Sequence, residues 1–143
     1  MKIKGSQRAA ETRAARVLKI VLAQVSGVQT REIRLEPRPS GHNREIVAAV
    51  DVLGHRHRLA CAVASEPTET CIGEALSELR RDVGAEKGII PVVIAPSLPP
   101  SARSMFKASK VSYVDFHGNV RLDLGEVFLW KRSLPHRAMH PAA

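Results

Sequence analysis

Residues 92–130 read VVIAPSLPPSARSMFKASKVSYVDFHGNVRLDLGEVFLW, and this stretch decides the fold. An apolar run from Ile89 to Ala95, with prolines at 91 and 96, has the pattern of a strand covered on both faces. Ser97 can cap a short helix running through Lys107, with Pro99 and Pro100 at its start. Val111 to Phe116, Asn119 to Leu124 and Glu126 to Lys131 then read as three short strands. Between the first two of these lies Asp115-Phe116-His117-Gly118-Asn119, a carboxylate, an imidazole and an amide around a glycine.

Working back toward the N-terminus, two apolar runs, Glu45 to Leu53 and His57 to Ala64, are joined by Gly54-His55-Arg56 as a hairpin would be. Ile72, Ala75, Leu76, Leu79 and Val83 then recur at helical spacing after Pro67 and before Gly84. Residues Thr30 to Glu36 alternate like a strand, and Pro37 to Asn43 break the pattern as a loop. Ala10, Ala14, Val17, Leu18, Val21, Leu22 and Val25 form the stripe of an amphipathic first helix that ends near Gly27. The expected order is αβββαβαβββ, an α/β fold with a mixed central sheet flanked by helices and antiparallel at its edges.

A chain of 143 residues is expected to form one domain, residues 1–131, with a basic and disordered tail at 132–143. No apolar run approaches the roughly 20 residues that cross a bilayer, so no membrane partner is expected. The basic N-terminus lacks a signal-type apolar segment, which gives a cytoplasmic expectation. Cys61 and Cys71 lack zinc-type spacing and read as buried free thiols.

The formal charge is +8. Its basic residues gather in the first helix, in the turn His55-Arg56-His57-Arg58, at Arg80-Arg81 and in the tail, a scatter that suits a polyanion or simply keeps a surface solvated. Arg56, Arg58, Arg80 and Arg81 are the expected contacts to duplex DNA, made without sequence preference. Aromatic residues are only 3% of the chain, too few for a platform that stacks single-stranded bases.

The order of elements resembles that of restriction-endonuclease-like domains of the PD-(D/E)XK superfamily, as found in bacterial winged-helix transcriptional-regulator-like proteins. The resemblance spans roughly Ile46 to Trp130. It rests on Glu66-Pro67 before a helix carrying Glu74-Ala75-Leu76 and Leu79-Arg80, on Pro91-Val92-Val93-Ile94-Ala95-Pro96, and on Tyr113-Val114-Asp115-Phe116-His117-Gly118-Asn119-Val120. The winged helix has no counterpart here.

The resemblance implies an Asp at the end of one strand and an acidic-x-Lys pair on the next, holding Mg²⁺ and orienting water. Asp51 matches the first position. The following strand, Leu59-Ala60-Cys61-Ala62-Val63-Ala64, offers neither acid nor lysine, so no catalytic residue, metal or cofactor is expected. An active enzyme would have to recruit Glu66 and Glu74 beside Asp51, with Mg²⁺.

Asp115, His117 and Asn119 share a strand face and could form an acid-base or metal cluster. The same residues, with Tyr113 before them and Gly118 among them, are also what a demanding turn requires, and that structural reading is preferred. His55 with His57, and His136 with His140, have spacings a metal could use but no acidic or thiolate partner nearby in sequence.

The preferred reading at this level is a catalytically degenerate nuclease-fold domain acting as a DNA-associated or regulatory binding module; the alternatives are a divergent Mg²⁺-dependent DNA endonuclease and a protein-interaction or oligomerisation domain, with a homodimer or another protein as partner.

Overall fold

A computed structural model describes residues 4–37, 44–83, 88–109, 111–124 and 128–131. The tail 132–143 with its histidines, most of the loop after Pro37, and Glu126 lie outside those residues.

Ten elements follow in chain order: α1 (Lys4–Ala23), β1 (Val28–Pro37), β2 (Arg44–Val52), β3 (His55–Val63), α2 (Glu69–Val83), β4 (Ile89–Ala95), α3 (Pro100–Ser109), β5 (Ser112–Asp115), β6 (Val120–Asp123) and β7 (Phe128–Lys131). The strands form one seven-stranded sheet in sequential order. β1, β2 and β3 are antiparallel neighbours, β3, β4 and β5 are parallel, and β5, β6 and β7 are antiparallel again. The two parallel connections each need a crossover, and α2 and α3 supply them.

Alternation along the central strands divides the core in two. Leu59, Cys61 and Val63 of β3, with Val92 and Ile94 of β4, face α1 and pack against Ala14, Leu18, Val21 and Leu22. Ala60, Ala62 and Ala64, with Val93 and Ala95, face the other way, onto Ile72, Ala75, Leu76 and Leu79 of α2 and Phe106 of α3. Both crossovers therefore lie on one face, as consecutive parallel strands with connections of a single hand require. The strand period of two thus feeds two apolar layers at once, which is why β3 and β4 read as nearly unbroken apolar runs.

The β2–β3 turn falls one step earlier in the chain than Gly54-His55-Arg56. Val52 pairs with His55, so Leu53 and Gly54 are its two central residues. Both have positive φ, 49° and 86°, the pattern of a type I′ hairpin. Leucine is a poor occupant of that conformation, so nothing in its identity pointed to the turn. The Leu53 amide donates to the Gly27 carbonyl at 2.8 Å and ties the hairpin to the end of α1.

Candidate nucleic-acid interface

The hairpin end of the sheet gathers the arginines singled out by the sequence. Asp51 is paired with Arg56 and Ala49 with Arg58, which places both arginines on the sheet face opposite α1. α2 covers the inner part of that same face. The helix starts beyond the C-terminal end of β3 and runs back toward the start of β4, where Ile89 pairs with Arg58. Arg80 and Arg81, exposed in the last turn of α2, therefore stand at the same end as Arg56 and Arg58.

A β-bulge between Thr30 and Glu32 re-aims Arg31 of β1 onto this end. Its Nε donates to Asp51 Oδ2. Arg56 Nε lies 3.6 Å from the other oxygen, Oδ1. The Asp51 side chain is 15% exposed while its two partners are largely in solvent. The carboxylate is thus held between two guanidinium groups, whose positive charge repels a hard dication.

Glu66 and Glu74 do not join Asp51. Arg56, opposite Asp51, is the second residue of β3, and Val63 ends it; the seven residue steps between them span about 23 Å. Glu66 follows that far end, exposed, with its Oε2 3.8 Å from Cys71 Sγ. Glu74 lies on the outer side of α2 beside Gly73, Ser77, Glu78 and Arg81. The set an active enzyme would have to recruit is therefore not brought together: Asp51 stands at the hairpin end of the sheet, Glu66 beyond the far end of β3 and Glu74 on the outer side of α2. Among the described residues no group of three acidic, histidine or cysteine side chains is placed to hold a metal. Among the described residues, the side chains that meet the Asp51 carboxylate are two arginines, a donor set that does not suit Mg²⁺.

The Asp115 segment is a closed turn. Asp115 is 1% exposed, and its Oδ1 accepts from the amides of His117 and Asn119, both at 2.9 Å. Oδ2 accepts from Asn119 Nδ2 at 2.7 Å. The Asp115 amide donates to the Asn119 carbonyl at 3.0 Å, and Gly118 takes the positive φ of 87° that the reversal needs. Tyr113, two residues earlier on the same face of β5, lies in the α2/α3 layer with its ring 5.8 Å from that of Phe106. His117 is exposed, and Arg13 of α1 sits 4.8 Å over the Phe116 ring. Every oxygen of the carboxylate is employed in shaping the chain.

Sequence reasoning passed over one buried ionic group. Glu11 of α1 accepts from Arg44 Nε at 2.9 Å, from the Arg44 amide at 3.1 Å and from Gln7 Nε2 at 2.9 Å. Gln7 Nε2 also donates to the Val63 carbonyl at 3.1 Å, so the network joins α1 to the start of β2 and the end of β3. The signal was present: Gln7 and Glu11 fall on the same helical stripe as Ala14, Leu18 and Leu22, where polar residues must find partners.

No protein-family model matches the sequence, and no curated protein is significantly similar to it. Among solved structures, the apo form of EndoMS is similar with a TM-score of 0.46 and 12% identity, over 71% of this chain and 45% of that one. A repair endonuclease from Pyrococcus abyssi is similar with a TM-score of 0.43 and 12% identity, over 80% of this chain and 47% of that one. The chain spans less than half the length of either structure.

Proposed function

We propose that this protein is a non-catalytic module, related in fold to the restriction-endonuclease-like domains, that binds duplex DNA through its backbone at the β2–β3 end of the sheet. The observation that carries the reading is the state of Asp51: both carboxylate oxygens are engaged by arginines at an end where Arg58, Arg80 and Arg81 also stand. A phosphate diester meets there an array of guanidinium donors, the group best matched to its geometry. Groove recognition has no dedicated element among the described residues, so contacts to phosphate position the duplex without reading bases.

The metal-dependent nuclease reading would need two carboxylates around one cation, and Asp51 and Glu66 stand at opposite ends of β3.

The test is a fluorescence-anisotropy titration of a short duplex across a range of salt, with a plasmid-cleavage assay in Mg²⁺ and Mn²⁺ alongside. Binding that falls steeply with salt, together with plasmid left intact, is the expected result. No binding at about 50 mM salt, where electrostatic attraction is strong, overturns the DNA reading. Cleavage that Asp51→Ala abolishes overturns the non-catalytic one.

A further inference from the structure

Among the described residues, β1 forms one edge of the sheet and pairs only with β2. From Thr30 to Pro37, no described residue hydrogen-bonds to its outer main-chain groups. Beyond the bulge at Arg31 the strand is regular, Glu32 to Pro37, and its side chains are sorted by face. Ile33 and Leu35 lie over the α1 layer and pack against it while remaining partly exposed. Glu32, Arg34 and Glu36 lie on the opposite face, and Arg34 pairs with both, at 3.2 Å to Glu32 and 2.6 Å to Glu36. An open edge of this kind is a template for another strand.

The strand's own sequence is the complement of that edge. Outward-pointing main-chain groups alternate along an edge, so two copies related by a two-fold axis pair only in registers that place one residue opposite itself. Centring on Glu32 or on Arg34 sets like charges face to face, which is destabilising. Centring on Ile33 brings the bulged Arg31 into the ladder. Centring on Leu35 keeps the pairing within the regular segment. It sets Leu35 against Leu35 on the apolar face and Arg34 against Glu36 twice on the charged face, and it leaves Pro37, which has no amide to donate, at the end.

We propose that two copies of this chain associate through β1 in that register, continuing the sheet from one protomer into its partner. The inference is independent of the DNA reading, which uses the hairpin end and the last turn of α2.

Sedimentation velocity of the full chain over a concentration series tests it, read with charge exchanges. The unaltered protein is expected to reach twice the 15.6 kDa chain mass. Arg34→Glu alone and Glu36→Arg alone each convert two attractive pairs into two repulsive ones, and each is expected to weaken association by about tenfold or more. The double exchange Arg34→Glu with Glu36→Arg restores opposite charges across the two-fold axis and is expected to restore the dimer. Circular dichroism of each variant checks that the fold is intact, since exposed ion pairs contribute little to it. A monomer at every concentration overturns the proposal and leaves the bulge, charges and Pro37 as guards against edge pairing. A dimer indifferent to the single exchanges, or not restored by the double one, overturns the register.

Discussion

The carboxylate of Glu11 and the guanidinium of Arg44, 33 positions apart in sequence, meet at 2.9 Å where α1 crosses the start of β2. Their burial is unequal: 1% of the Glu11 side chain is exposed against 26% of Arg44. A charge that can still reach water and one that cannot respond differently to the loss of a partner.

Arg44→Ala is therefore expected to cost about 3 to 5 kcal/mol, because the carboxylate stays buried without its counter-charge. Glu11→Ala is expected to cost less, about 1 to 3 kcal/mol, since the arginine can turn outward. Urea denaturation of the two variants checks the order, and equal losses would refute the asymmetry.

Asp115→Ala strands the amides of His117 and Asn119 and the Asn119 side chain inside the β5–β6 turn. The expected loss is about 2 to 4 kcal/mol. Asp115→Asn, which keeps one acceptor oxygen and the shape, should be milder. If the group were instead a solvent-facing site, both variants would leave the denaturation midpoint unchanged.

Leu79 is fully buried between α2 and the sheet, so Leu79→Ala should cost about 2 to 5 kcal/mol. Met105, exposed on α3, provides the contrast: Met105→Ala is expected within about 0.5 kcal/mol of the parent. Thermal or chemical melts of the pair decide whether the α2 face is assigned correctly.

Asp51→Asn removes the anion that engages Arg31 and Arg56, and on the proposed function it should tighten duplex binding. Arg58→Ala should flatten the log-log salt dependence by about 0.9, the increment for a single phosphate that is no longer neutralised. Anisotropy titrations at several salt concentrations measure both. Weaker binding by Asp51→Asn would contradict the proposed role of the arginines.

The apolar runs of the central strands and the stripes of α1 and α2 were legible because burial writes a period into sequence. α1 nevertheless begins at Lys4 and takes in Gln7 and Glu11, since its polar residues are satisfied from elements far along the chain. The same limit applies to Asp51. Its position on a strand could be read locally, but its two arginines come from β1 and β3, and only the register of three strands brings them there. The Asp115 turn was readable in composition because its bonds are local, all made within four residues. Leu53 escaped notice because a leucine occupies a glycine-type conformation.

Ala60 and Ala62 of β3, with Ala64 just beyond its end, form the strip on which α2 rests. A methyl group is the smallest side chain that still closes a core, so these three positions act as a spacer of minimum thickness between helix and sheet. Arg80 and Arg81 ride on the helix, Arg56 and Arg58 on the sheet. The gap between the two arginine pairs is consequently gauged from inside the protein, by buried residues that carry no charge. Enlarging one of them would act like a shim, widening a surface feature without altering a single surface atom type.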